Sequence, residues 1–252
     1  MKIDLNADLG EGASTDTALL AVITSANIAC GGHAGDERSM RRAVLEATAR
    51  GVGIGAHPSY PDREGFGRRP MAMSHEALVD TLVRQIERLQ EVARAAGTAL
   101  VHIKAHGALY NVAVDDAATA RAIGEAIRRV DSRLIAVALA GSPMAEVFRS
   151  MGLRTAEEAF IDRGYTAAGR LVPRDRPNAL LTDARAAAAR AVRMVRDGVV
   201  DSVEGAPVRL RAQTLCVHAD TPGSPAIAAA VRQALEAAGI RVAPMRECMV
   251  EG

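Results

Sequence analysis

Short apolar runs alternate along the chain with longer stretches whose apolar positions recur every three to four residues. In the first run, residues 2–9, Ile3, Leu5, Ala7 and Leu9 fall on one side and Asp4, Asn6 and Asp8 on the other, which is the period of a β-strand. The alternation returns at 100–106, where Val101, Ile103 and Ala105 oppose His102, Lys104 and His106. Further strands are predicted at 25–32, 51–57, 134–140, 154–160 and 208–219, with a last one at 240–244. The clearest helix begins at Ser74, a residue type that caps helix N-termini. It carries Leu78, Val79, Leu82, Ile86, Leu89 and Val92 on one face and stops at Gly97. Others are predicted at 36–50, 115–129, 143–151, 182–197 and 224–238. Strands alternating with helices imply right-handed crossovers and a parallel sheet. Seven or eight strands in 252 residues favour an α/β fold closed into a (β/α) barrel, one domain over residues 1–252. The stretches 58–73 and 161–178, rich in Gly, Pro and Arg, read as functional loops.

Helices outside the barrel would bury the apolar row of each strand, so Asp4, Asn6 and Asp8 face the interior, where an unpaired charge is costly. Lys104 joins them from the 100–106 strand. Five of the six histidines lie in or at the ends of predicted strands, and in such barrels the C-terminal strand ends build the active site. Asp8, His33, His57, Lys104, His106, His218 and Asp220 are therefore expected to converge at one mouth. Asp4, at the deep end of its strand, reads as a structural partner for Lys104 or His102. Asp36 fits an N-cap as well as a catalytic role, and His75 sits on the surface of a first helical turn. Arg68, Arg69 and the arginines from 170 to 176 fit either a solvated face or anion-binding loops.

Composition narrows the function. Hydrophobic residues make up 49% of the chain, charged residues 24%, and the net charge is +1, with no segregation of sign. That balance argues against a nucleic-acid or anionic-membrane surface. Alanine is about a fifth of the sequence, so the core is built of small residues. Of 31 basic residues only Lys2 and Lys104 are lysine, which makes an interior lysine conspicuous. Three widely spaced cysteines and no export signal point to a reduced, cytoplasmic protein. The G-x-x-x-x-G-K-[ST], G-x-G-x-x-G, G-x-S-x-G and H-E-x-x-H motifs are absent, so the chain offers no recognisable nucleotide site. Asp and His at the mouth could hold a divalent metal, but no ligand spacing is specific enough to assign one.

Six ordered segments carry a resemblance: DLNADLGEG (4–12), NIACGGHAGD (27–36), GAHPSYPDREGFGRR (55–69), HIKAHGALYN (102–111), EEAFIDRGYTAAGRLVPR (157–174) and CVHADTP (216–222). They resemble the signature segments of the LamB/YcsF family across nearly the whole chain. The sequence departs from that pattern at Ala7, Gly32 and Ala105, none of which is an acid, base or cation. The resemblance implies an irregular seven-stranded barrel related to the glycoside hydrolase and deacetylase superfamily. It implies opening of the lactam of 5-oxo-L-proline to L-glutamate, with ATP consumed by a complex that includes B and C subunits; self-association is left open. On this reading His33, His57 or His106 activates water, Asp8 orients that histidine, and Lys104 or Arg163 holds a carboxylate or oxyanion. Glu158 and Asp162 are further acid/base candidates, and Asn6, Arg163, His218 and Asp220 are expected to bind substrate. Two competing readings are a stand-alone metal-dependent deacetylase or amidase, using Asp8, His33 and a third ligand around a bound cation, and a non-catalytic scaffold for the other subunits.

Overall fold

The computed structural model describes residues 1–249. Strand β1 (Lys2–Leu9) leads through a short helix α1 (Asp16–Leu20) to β2 (Ser25–Ala29), α2 (Glu37–Ala49) and β3 (Gly53–His57). A long helix α3 (His75–Ala95) returns the chain to β4 (Leu100–Ile103), followed by α4 (Gly107–Asp115) and α5 (Ala117–Asp131). Then come β5 (Ile135–Leu139), α6 (Pro143–Ser150), β6 (Thr155–Phe160), α7 (Ala184–Asp197), β7 (Val199–Asp201), β8 (Pro207–Arg209) and β9 (Thr214–Val217). The chain finishes with α8 (Ser224–Ala237), β10 (Arg241–Val242) and α9 (Met245–Cys248).

Strands β1 to β6 pair in sequence order, all parallel, and β9 bonds both β6 and β1. That closure makes a seven-stranded barrel, as the pattern of alternating elements predicts. Strand β10 pairs only with Lys2 and Ile3, below the point at which β9 takes over at Asp4, so it adds to the base of β1 without joining the closure.

Several boundaries differ from those expected. The predicted strand 208–219 is two strands. Its first part forms an antiparallel hairpin with β7, and only Thr214–Val217 enters the barrel. The 25–32 strand stops at Ala29 because Gly31 turns the chain at φ +104°. The 100–106 strand stops at Ile103, and His106 is the residue that opens α4, a helix the apolar run 108–114 disguised.

Helix α3 buries Leu78, Val79, Leu82, Ile86 and Leu89. Each stabilises the fold by about 1.5–3 kcal/mol relative to exposure. Asp36 caps α2, its carboxylate accepting from Ser39 N at 2.8 Å. His75 is exposed and pairs with Glu125. The apolar row of β1 is sealed against the helices, and the polar row points inward, where all of it is buried. Asp4 accepts from Thr24 Oγ1 (2.7 Å), Ser25 Oγ (2.7 Å) and Thr214 Oγ1 (2.6 Å), not from Lys104 or His102 as expected. Three hydroxyls thus take the place anticipated for a cation. Burial raises this carboxyl to about 6. Above it, Asn6 donates to Glu158 and Thr214 and accepts from Asn27, while His102 meets Asn27 Oδ1 at 2.8 Å. The barrel interior is therefore a hydrogen-bonded polar column that rises to the mouth.

Candidate active site

Where the column reaches the C-terminal strand ends it opens into a cavity of about 400 Å³. Asp8, Glu11, His57, Lys104, His106 and His218 line its floor and wall; Arg68, Arg163, Arg170, Arg174 and Asp220 line it from the loops. Both loops read as functional contribute: Arg68 comes from 58–73, and Arg163, Arg170 and Arg174 from 161–178. Of the expected site residues, Asn6, His33, Glu158 and Asp162 lie behind this lining and act on it through other side chains.

Lys104 sits at the top of the column. Its ammonium lies 3.0 Å from Asp8 Oδ1, 3.0 Å from Glu158 Oε1 and 3.1 Å from Cys216 Sγ. Burial disfavours its charge, but the Asp8 carboxylate, Cys216 and Glu158 outweigh that, and the ammonium is held well above its ordinary value. Asp8 is in turn held well below the carboxylate range, because His57 and Lys104 overcome the cost of burial. Lys104 is thus saturated by protein groups.

A second unit is Asp162 with His218. The Asp162 carboxylate, fully buried, lies 3.0 Å from His218 Nδ1 and accepts from His218 N at 2.9 Å and Thr221 Oγ1 at 2.6 Å. Against burial, His218 and these donors keep Asp162 below its usual value. The carboxylate fixes the proton on Nδ1, which leaves Nε2 as the basic nitrogen of a ring that lines the cavity. The ring is steadied by stacking on Phe160, centroid to centroid 5.2 Å.

The third unit is a cluster of three histidines around Glu11. His33 Nε2 lies 2.9 Å from Glu11 Oε1, and the His33 and His106 rings stack at 3.6 Å. His57 Nδ1 donates to Lys104 O at 2.7 Å, and His106 Nε2 donates to Phe66 O at 2.9 Å. Burial pushes His33 down to about 4 and also lowers His106. For His57 the Asp8 carboxylate overcomes burial and raises it. Phe66 holds φ +54°, a left-handed conformation costly for a residue with a side chain, and its carbonyl is thereby aimed at His106. Gly67 beside it leaves no room for more: a Cβ there would lie 2.8 Å from His33 Cβ and 2.9 Å from His106 Cδ2.

Ligand atoms of Glu11, His33, His57 and His106 all lie within 4.8 Å of one another, and so do those of Asp8, Cys216 and His218. The sequence pattern does not single out Glu11. It follows the last residue of β1 in a Gly-Glu-Gly turn, outside any strand alternation, and its place just past a strand end is the signal available. Asp220 lies at the rim of the cavity. It bridges Arg68 (2.5 Å) and Arg174 (3.1 Å), tying the two long loops together over the mouth.

The LamB/YcsF family model matches residues 3–250. The chain belongs to the LamB/YcsF family. Among LamB/YcsF relatives, the 5-oxoprolinase A subunit of Bordetella pertussis (strain Tohama I) is 50% identical, the match covering 95% of this chain and 97% of that protein. The crystal structure of a lactam utilization protein from Thermus thermophilus superposes with a TM-score of 0.90 at 45% identity, covering 96% of this chain and 99% of that one. The family's fold extends further. Peptidoglycan deacetylase PdaC from Bacillus subtilis shares the barrel at a TM-score of 0.51 and 12% identity, covering 98% of this chain and 89% of that one, a likeness of fold alone. No helix among the described residues is long and apolar enough to cross a membrane.

Proposed function

We propose that this chain is the A subunit of an ATP-hydrolysing, cytoplasmic 5-oxoprolinase and carries the site at which the activated lactam is opened to L-glutamate. The observation that carries the reading is the Asp162–His218 pair, an imidazole anchored by a buried carboxylate and facing a cavity rimmed by arginines. The names of relatives matched over almost their full length supply the substrate. A lactam amide is a poor electrophile, and this chain has no nucleotide motif, so ATP is assigned to B and C partner subunits, which phosphorylate the lactam oxygen. Water then adds to the activated carbon while His218 Nε2 takes its proton. The ring C–N bond breaks with protonation of the leaving amine, and a second water releases phosphate to leave the new carboxylate. Arg68, Arg163 and Arg174 hold the substrate carboxylate and the phosphoryl oxygens. Lys104, already saturated, keeps Asp8 ionised beside the reacting carbon, and His57 and His106 order the floor.

The test is glutamate release from 5-oxoproline by the reconstituted complex, with and without ATP and with and without the partner subunits. Release is expected only when both are present, and to collapse in His218→Ala while the variant still binds its partners. Full glutamate formation by that variant, or release without ATP, overturns the reading.

A further inference from the structure

The floor of the cavity holds an arrangement that hydrogen bonding among its own members does not satisfy. Lys104 O and Phe66 O are carbonyl oxygens and only accept, so His57 Nδ1 and His106 Nε2, at 2.7 and 2.9 Å from them, both carry their protons. In the neutral rings the opposite nitrogens are then bare lone pairs, and these face each other at 3.0 Å. Glu11 Oε1 adds negative charge 3.3 Å from His106 Nδ1 and 3.7 Å from His57 Nε2. Asp8 Oδ2 lies 3.5 Å from the same His57 nitrogen. Electron-pair donors on three sides converge on one point with no proton donor among them, so the point calls for a cation.

We propose that Glu11, His57 and His106 form a binding site for a first-row divalent transition-metal ion. Donor atoms 3.0 to 3.7 Å apart are spaced as neighbouring ligands about 2.0–2.2 Å from one ion would be. Both histidines give their other ring N–H to a backbone carbonyl, the support that fixes a ligating imidazole in the correct tautomer. Glu11 is oriented in the same way by His33 Nε2 at 2.9 Å. The strained Phe66 backbone and the close approach of Gly67 thereby acquire a purpose, since together they place His106. Two imidazoles and a carboxylate suit Zn²⁺, Mn²⁺ or Fe²⁺ rather than Ca²⁺ or Mg²⁺, which prefer all-oxygen shells. Cys216 is not part of the set, because its sulfur takes the Lys104 ammonium at 3.1 Å. All three ligands line the cavity, so the ion has open positions toward it, as a catalytic rather than a structural site does. A metal there would polarise a substrate or water oxygen, a task distinct from the proton transfer given to His218.

The rival occupant is a single proton shared between His57 and His106. The full chain, purified without a polyhistidine tag and stripped with a chelator, is titrated with Co²⁺ and with Zn²⁺. One equivalent per chain is expected, with ligand-field absorption from Co²⁺ and an affinity reduced about 100-fold or more in Glu11→Gln and His106→Ala, and unchanged in the exposed His75→Ala. Stoichiometry near zero, or equal affinity in the folded Glu11→Gln and His106→Ala proteins, overturns the proposal. Should those variants not fold, the wild type decides by NMR. Co²⁺ shifts the ring resonances of His57 and His106 while those of His75 stay in place; unshifted rings bridged by one N–H proton are the shared-proton result and refute the metal. None of these measurements needs ATP, partners or 5-oxoproline, so their outcome is separable from that of the glutamate assay.

Discussion

Asp162 grips His218 through Nδ1 at 3.0 Å and through the backbone N–H of the same residue at 2.9 Å, so one buried carboxylate sets both the tautomer of the imidazole and the position of the chain that bears it. Asp162→Asn preserves the shape but offers the ring an amide in place of an acceptor. It is expected to lower kcat by about 10²–10⁴ with little change in KM. Steady-state kinetics of the assembled enzyme check this, and an unchanged kcat would show that His218 moves no proton.

Lys104 is the only cation within reach of both Asp8 and Glu158 at 3.0 Å among the described residues. Lys104→Met leaves two carboxylates buried without their partner and should destabilise the protein by about 3–5 kcal/mol in urea unfolding. Combining it with Glu158→Gln should recover part of that loss. An additive or larger loss in the double variant would mean that the pair is not coupled.

Asp4 titrates in the folded state at about 6 against 3.8 in the unfolded chain, because it is buried among hydroxyls without a cation. Since the folded protein binds this proton more tightly, the stabilisation is fully present below pH 3.8 and is lost as the pH rises through about 6. The stability difference between wild type and Asp4→Asn should therefore fall by about 2 kcal/mol between pH 4 and 7. Denaturant midpoints across that range would refute the assignment if the two profiles run parallel.

Gly67 combines φ +64° with contacts that a Cβ would make at 2.8 Å. Gly67→Ala should cost about 1–3 kcal/mol of stability and displace His106 from Phe66 O. Thermal unfolding reads the first effect, and the His106 ring N–H resonance reads the second.

Arg174 and Asp220 are partly exposed at the cavity rim. Breaking that pair with Arg174→Ala should change stability by less than about 1 kcal/mol yet raise KM, because the group faces the entrance and not the core. A variant with unaltered KM would remove Arg174 from the substrate path.

The strand rows were legible before the fold because a period of two divides β1 into Ile3, Leu5, Leu9 and Asp4, Asn6, Asp8 without reference to anything else. Placing His33, His57, His106 and His218 at strand ends followed from the same alternation and the direction of a parallel barrel, with His102 left in the interior row. What misled was continuity. The run 208–219 reads as one strand, yet its halves bond different partners, β7 and the barrel. The apolar stretch opening at Ala108 shows no helical period because α4 is buried on most of its surface. Glu11 carries no such signal, because a turn flanked by Gly10 and Gly12 has no periodicity at all.

The sequence by itself determined the alternation of strand and helix, the closed barrel, the interior course of Asp8 and Lys104, and membership of a family through six ordered segments. Only the tertiary structure decided the partners: Asp4 with three hydroxyls, Asp162 with His218 across 56 residues, and Glu11 with histidines from three separate segments. Alternation along one strand fixes the face on which a side chain lies. Which side chain it meets depends on the register and tilt between strands, and that is settled by packing of the whole barrel.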